Sequence, residues 1–519
     1  MSLEWFWSAV APPAACGLLG SLLAEQLLVP RPPPLAQRAP ASFAAHCGLW
    51  LALYGLLLAV VGRPWLATGI ALALVMAVVV VNNAKFRSLR EPFVVHDFEY
   101  FIDAMRHPRL YLPFLRVNAQ VFLSCAAVLA GLALAIHHEP WLFTARPLAE
   151  DALGMLSLLV LAGLLLVPGR ATSLPVSCDV AGDLSRMGLL VSLWRYACEM
   201  RRPLAVQSAF ATPPQAPAAN TLAHLVVVQS ESFFDPRALW PAIDPALLQH
   251  FDASCREALS HGPLTVPAWG ANTIRTEFAF LSGLSPAAQG VHQFQPYRQL
   301  ARQPLPQLVR WLKHAGYRTV AVHPYAGSFY QRARVFAALG FDEFITEAAF
   351  RDAPRAGPYV SDLAVADKIR ELVAADDPRP LFVFAITMEN HGPLHLETVA
   401  AADEADLYAS PPPAGCDEFT VYLRHLRNAD RMLAALRETL LEAARPGCLC
   451  WYGDHVPIMP KAYRQLGEPA GETVYCLWRS DQPQPPRAPQ PLAIHGLAAL
   501  LCRAAGFRDG PAAGGEVAG

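Results

Sequence analysis

Asp454 and His455 stand side by side in WYGDHVP, and a carboxylate next to an imidazole on adjacent loop residues can turn both toward one divalent cation. Glu231, at the end of HLVVVQSES, offers a further hard ligand, or else a cap or a surface charge. Together these N and O donors suit Mn²⁺, Zn²⁺ or Mg²⁺ better than a soft metal. Thr273, in PAWGANTIRTEFAFLSG, follows a Gly270–Ala271–Asn272 turn and opens a helical run. As an N-cap it would bond the first turn's N–H groups. As a nucleophile it would use the same place differently. The helix N-terminus favours an alkoxide and a phosphate beside it, and a bound cation lowers the hydroxyl's pKa further. Glu277 lies four residues on, hence on the same face, and either orients the site or is an ordinary helix carboxylate.

A second group lies in AVHPYAGSFYQRARVF, where His323 ends an apolar run and Tyr330 and Arg332 begin the next helix. The planar guanidinium of an arginine donates two parallel hydrogen bonds to a phosphate, although an isolated arginine is more often a surface residue. His391, in ENHGPL, ends another run; it is either part of a site or a structural histidine bonded to loop carbonyls.

The elements that must position these residues are legible in the last three hundred residues. HLVVVQSES, YRTVAVHPY, PLFVFAITMENH and CLCWYGDH are continuous apolar runs ending in polar residues, which suits strands buried on both faces of a mainly parallel sheet. LPQLVRWLKHAG and SDLAVADKIRELVAA between them have helical periodicity. The alternation predicts one α/β domain, a mainly parallel central sheet flanked by helices. Ligands collect at the carboxyl ends of such strands, where Glu231, His323, His391, Asp454 and His455 fall.

The first third is different in kind. The chain as a whole is 54% hydrophobic and 16% charged, too apolar for an ordinary soluble protein of 519 residues. The excess forms apolar stretches at about Phe6–Leu23, Phe43–Val61, Trp65–Val81 and Val117–Ile136, with a shorter fifth at Leu153–Val167. Five crossings make an α-helical membrane anchor over 1–168. Lys85, Arg87, Arg90, Arg106, Arg109 and Arg116 would by the positive-inside rule draw their segment, and with it the C-terminal domain, to the cytoplasm. The chemistry that the motifs below imply argues for the opposite face, and the domain is expected outside. Residues 169–221 read as a connector: Met187–Arg202 as a helix on a membrane surface, then a Pro- and Ala-rich linker. The catalytic domain is expected over 222–508, with a flexible tail over 509–519. The net charge of −2 and the lack of a basic run give no sign of a nucleic-acid partner. The 11 cysteines show no CxxC pairing, and Cys448 and Cys450 read as small core residues of a strand.

The ordered set ESF, GANTIRTEF, HPY followed by YQR, SD, NHGP and YGDH resembles the lipoteichoic acid synthase and phosphoglycerol transferase family, part of the alkaline phosphatase and sulfatase superfamily. The arrangement of anchor, linker and catalytic domain is similar as well. The resemblance implies that Glu231, Thr273, Asp454 and His455 bind a divalent metal, manganese before zinc or magnesium, with Thr273 as nucleophile. It implies that His323, Arg332 and His391 hold the head group, joined by Tyr330 where those synthases often carry Trp. Asp362, in the SD motif, would be a supporting residue. The implied donor is a phosphatidylglycerol-type lipid, the acceptor a glycan or polymer hydroxyl, and the place the outer face of the cytoplasmic membrane. A phosphoethanolamine transferase is the second reading, although that group usually shows GET-x-R where this chain has QSESFFDPR. A sulfatase-fold hydrolase lacks its C/S-x-P-x-R context at Thr273, and a non-catalytic membrane receptor would have no need of the intact set.

Overall fold

The computed structural model describes residues 2–34, 37–111, 130–134, 136–144, 147–170, 173–203, 208–214, 222–300 and 305–507. The chain divides into two compact units, Met1–Pro203 and Leu204–Gly519.

In the first unit, four helices among the described residues are long and apolar enough to cross a membrane: Leu3–Glu25, Pro40–Val61, Pro64–Leu89 and Ala149–Gly169. They correspond to the first, second, third and fifth stretches read from the sequence. Most of the fourth stretch, Val117–Ile136, lies outside the described residues, as do much of the linker and the tail from residue 508. The helix expected over Met187–Arg202 corresponds to Leu189–Glu199, and a separate helix, Val180–Met187, precedes it across Gly188 with φ 77°. Its cations do not all face outward. Arg195 is buried, donating to the Leu174 carbonyl at 2.9 Å and pairing with Glu199 at 2.8 Å. Lys85 of the basic segment is likewise tied to Glu91 and Asp97, each at 2.7 Å. Part of the positive charge that argued for a cytoplasmic segment is therefore neutralised within the protein.

The second unit is built on an eight-stranded sheet in the order β10-β2-β9-β8-β1-β7-β3-β4. Its strands are β1 (His224–Ser230), β2 (Ser260–Thr265), β3 (Arg318–Val322), β4 (Glu343–Ile345), β7 (Leu381–Ile386), β8 (Gly447–Gly453), β9 (Thr473–Arg479) and β10 (Leu492–Ala493). A separate hairpin pairs β5 (Arg355–Ala356) with β6 (Tyr359–Val360). β9 runs antiparallel to both its neighbours, and every other pairing in the large sheet is parallel. The apolar runs end up as expected. Every residue of β1, β7 and β8 is buried.

Alternation along each strand splits the core in two. Val226, Val228, Leu449 and Trp451 face a layer containing the helices Asp362–Val373 and Asp417–Glu442. Leu225, Val227, Cys448, Cys450 and Tyr452 face the helices Thr273–Ser282, Leu308–His314, Arg332–Leu339 and Ile494–Ala504. At about 1.5–3 kcal/mol for each fully buried large aliphatic or Phe side chain, these layers supply the main force that fixes the strand ends.

Candidate metal and phosphoryl-transfer site

Four neighbouring strands deliver the chemically active residues at their carboxyl ends: Asp454 and His455 after β8, Glu231 after β1, His391 after β7 and His323 after β3. Two backbone features bring the β1 and β8 loops together. Gly453 lies against the Phe233 carbonyl so closely that a Cβ there would fall 1.8 Å from the oxygen, which no side chain tolerates. Ser232 takes a left-handed conformation, φ 55°, and its N–H donates to Asp454 Oδ1 at 2.8 Å.

Glu231, Asp454 and His455 then converge, each with one donor atom within 4.8 Å of the others, and all three are buried. Ser232 Oγ donates to Glu231 Oε1 at 2.9 Å, and the Glu231 N–H donates to Thr387 Oγ1 at 2.9 Å. His455 Nδ1 lies 3.1 Å from the Val456 carbonyl. A proton on Nδ1 donated to that carbonyl leaves Nε2 as a lone pair, 3.3 Å from Asp454 Oδ2 and 3.6 Å from Glu231 Oε1. Asp454 Oδ2 is buried with no hydrogen-bond partner among the described residues. Burial, and then the neighbouring Asp454 carboxylate, push the Glu231 carboxyl up to about 8. Two carboxylates crowded out of water with an orphaned oxygen are what a divalent cation would relieve. The residues present fit a metal ion of that class.

The helix Thr273–Ser282 is fastened to this cluster. Thr276 Oγ1 donates to the Asp454 carbonyl at 2.8 Å. Thr273, one turn earlier, is buried and is the first helical residue. The N-cap position belongs to Asn272, with φ 64° and no side-chain cap bond, so the capping alternative for Thr273 does not hold. Thr273 stands instead as a buried hydroxyl in the first turn of the helix.

Glu277 is no ordinary helix carboxylate. It is fully buried, accepts from the Tyr297 hydroxyl, and holds Arg332 in a two-pronged ion pair whose Nε–Oε2 arm is 3.2 Å. Arg332 Nη1 approaches His323 Nε2 at 3.2 Å, while His323 Nδ1 lies 3.2 Å from the Ile386 carbonyl. An arginine only donates, so His323 Nε2 accepts and its proton sits on Nδ1. Burial and the Arg332 charge hold the His323 pKa well below its ordinary value, which keeps the ring neutral. Arg332 is thus a buried cation with Glu277 at its back. Tyr330, φ 53°, lies with its ring 5.2 Å from the Arg332 guanidinium carbon. His391 Nδ1 is 2.7 Å from the Gly392 carbonyl, leaving Nε2 to face other groups, and burial lowers its pKa. The charges of Asp454 and Arg332 both act on its ring.

Asp362 begins the helix Asp362–Val373, with Ser361 as its N-cap. Its N–H donates to Glu389 Oε2 at 2.7 Å, and its Oδ1 is buried without a hydrogen-bond partner among the described residues. Burial and then Glu389 raise its pKa well above the ordinary carboxylate range. What lies behind it carries no motif. Glu389 also accepts from His425 Nδ1 at 3.0 Å and from Asn428 Nδ2 at 2.6 Å, and His425 Nε2 reaches Glu397 Oε2 at 3.1 Å. Glu389 was visible as the residue before Asn390–His391, but its partner sits mid-helix with no motif around it. Tyr297, beneath Glu277, went unread for the same reason.

The sequence profile of the family described as Sulfatase matches residues 223–506. A Rhizobium meliloti (strain 1021) protein named for cyclic β-1,2-glucan modification is 32% identical over 257 residues, and the match spans 48% of this chain and 38% of that protein. The capsular polysaccharide biosynthesis protein RkpI of the same organism is 27% identical over 415 residues, 76% of this chain and 74% of the relative. Among solved structures, the lipooligosaccharide phosphoethanolamine transferase A (EptA) from Neisseria meningitidis, an integral membrane protein, covers 96% of each chain with a TM-score of 0.57 at 12% identity, a likeness of fold.

Proposed function

This chain belongs to the sulfatase family, and from that membership and the geometry of its site we propose that it is a membrane-anchored, metal-dependent phosphotransferase, moving phosphoglycerol from a phosphatidylglycerol-type lipid through phospho-Thr273 to a glycan or polymer hydroxyl. The observation that carries the reading is the fastening of a buried Glu231–Asp454–His455 cluster to the helix that Thr273 begins. The resemblance of the GANTIRTEF, HPY, YQR, NHGP and YGDH segments supports phosphoglycerol as the group moved. The names of the two Rhizobium relatives, for glucan modification and capsular polysaccharide biosynthesis, support a glycan acceptor.

Glu231, Asp454 and His455 would hold the cation, with Thr273 as the fourth ligand; manganese is the first choice, zinc or magnesium the others. Such an ion, when bound, neutralises charge on the phosphoryl oxygens and lowers the pKa of a nearby hydroxyl. Thr273 Oγ forms a bond to phosphorus as the bond from phosphorus to the diacylglycerol oxygen breaks, and diacylglycerol leaves carrying a proton. An acceptor hydroxyl then attacks phosphorus, the bond to Thr273 Oγ breaks, and Thr273 regains its proton. Free N–H groups of the helix's first turn stabilise the equatorial oxygens in both steps. Arg332, held by Glu277, directs its remaining N–H groups and charge toward the head group beside neutral His323. Tyr330 offers its ring to the glycerol. His391, neutral and with Nε2 available, is suited to hold the proton that the acceptor hydroxyl gives up. Asp362 supports the site from beneath.

The test is mass spectrometry of the full chain, purified in detergent and incubated with phosphatidylglycerol and Mn²⁺. A phosphoglycerol adduct on the Thr273 peptide, discharged by a glycan acceptor, is the expected result. A phosphoethanolamine adduct from the corresponding lipid alone would shift the head group, and a folded, metal-loaded protein with no adduct would overturn the reading. The same proposal places the 222–508 domain outside the cytoplasmic membrane. A membrane-impermeant thiol reagent should then label a cysteine introduced in the 205–220 linker on intact spheroplasts, and labelling only after lysis would reverse the sidedness.

A further inference from the structure

Behind His391, on the side of Glu389, lies a pocket of about 480 Å³ that the transfer chemistry above does not use. Its wall is built from charges that are already matched. His425 is clamped between Glu389 at 3.0 Å and Glu397 at 3.1 Å, and the two carboxylates push its pKa up to about 9 against the opposing effect of burial. Arg424 bridges Glu397 at 2.9 Å and Asp403 at 3.0 Å, and also donates to the Thr398 carbonyl at 3.1 Å. A wall of internally paired cations and carboxylates has little net field with which to draw an ion. It does present fixed donors and acceptors at close spacing, with the Asn428 amide among them. Leu396, 54% exposed, adds an apolar platform on the same rim. Paired polar groups around one apolar surface match the two sides of a neutral sugar ring, hydroxyls at the edge and C–H groups on the face.

Two stretches of chain connect the pocket to the candidate active site. The loop that carries His391 continues into Leu396, Glu397 and Thr398 of the pocket. The β5–β6 hairpin spans both. Its Tyr359 donates to the Gly392 carbonyl at 3.1 Å and lies with its ring 5.7 Å from that of His391. Its turn residue Gly357, φ 57°, lines the pocket, and a Cβ there would fall 2.4 Å from Glu397 Oε2. The hairpin can press down on Glu397 only because position 357 has no side chain.

We propose that this pocket binds the acceptor glycan, as a neutral sugar subsite next to the hydroxyl that receives the phosphoryl group. The inference rests on the transferase reading and deepens it. The pocket's volume is within the range of small-molecule sites, so it takes a short stretch of glycan, with the rest of the chain left in solvent.

The test uses the full chain in detergent, phosphatidylglycerol as donor and a neutral β-1,2-linked gluco-oligosaccharide as acceptor probe. Thr398→Trp fills the pocket from its rim, and Leu396→Asp removes the apolar platform without adding bulk. Each variant should raise the KM for the oligosaccharide by about tenfold or more, with the rate of diacylglycerol release in the first half-reaction unchanged. Unchanged oligosaccharide KM in two folded variants would overturn the subsite. So would a slowed first half-reaction, because the pocket would then serve the donor. Direct titration of the oligosaccharide onto wild-type and variant proteins separates this inference from the reading beneath it. Binding that weakens in the variants upholds the subsite even where no lipid adduct forms, and equal binding, or displacement by glycerol phosphate, removes it even where transfer is intact.

Discussion

The Thr276 hydroxyl donates to the Asp454 carbonyl at 2.8 Å, and this one bond joins the helix that begins at Thr273 to the loop that carries two of the three clustered metal-type ligands. Thr276→Val keeps the shape and removes the donor. It should cost about 1–3 kcal/mol for the orphaned carbonyl and slow transfer while metal content stays at the wild-type level. Thr276→Ser should restore the rate. Metal analysis alongside single-turnover kinetics checks both halves.

Thr273→Ala should abolish the lipid adduct and leave the thermal midpoint almost where it was. The reason is structural: the helix is entered through Asn272, and Thr273 makes no capping bond whose loss would be felt. Turnover by a folded Thr273→Ala protein would end the covalent mechanism.

Metal affinity should rise with pH. In the metal-free site Glu231 is held up to about 8 by burial and Asp454. Below that value a cation must displace the proton, and above it the carboxylate is already free. Calorimetry at about pH 7 in buffers of different ionisation enthalpy should therefore detect release of roughly one proton per ion bound. Glu231→Gln, Asp454→Asn and His455→Ala should each lower metal content and activity together.

Glu277→Ala strips a fully buried arginine of its counter-ion. A buried pair broken from one side costs about 3–5 kcal/mol, so the thermal midpoint should fall clearly, in contrast to Thr273→Ala. Glu277→Gln, which preserves the hydrogen-bonding shape, should recover part of the stability but not the KM for the lipid, because Arg332 is no longer held by charge.

His425 makes stability depend on pH in a defined window. Its folded pKa of about 9 lies above the ordinary 6.5, so the folded protein binds that proton more tightly than the unfolded chain does. Its contribution is complete below pH 6.5 and is lost as pH rises through 9, roughly 1–3 kcal/mol in all. Thermal scans of wild type should decline across that window, and His425→Gln should start lower and decline less.

What the sequence made legible follows from where its signals are local. β1, β3, β7 and β8 announced themselves because a strand buried on both faces must be apolar throughout, and the candidate site residues follow each run. β2 was hidden because Gly262 and Pro263 sit in its middle, at the sheet's weakly patterned end beside the antiparallel β9. The Glu277–Arg332 pair and the Glu389–His425–Glu397 clamp join residues tens of positions apart, and no periodicity encodes such a meeting. The break at Gly188 was written as a glycine, but a glycine alone does not reveal its φ.

The order β8-β1-β7-β3 turns the centre of the sheet into a ruler. Adjacent strands are about 4.8 Å apart, so the three steps from the His455 end to the His323 end measure on the order of 14 Å. The graduations are set by backbone hydrogen bonds, not by loops. On the proposed function, variation at the β3 end, among His323, Tyr330 and Arg332, would act on head-group choice, about three strand steps from the β8 and β1 marks where the metal would sit. Under that proposal selectivity and reactivity would occupy different stretches of one scale, coupled where Glu277 of the Thr273 helix holds Arg332.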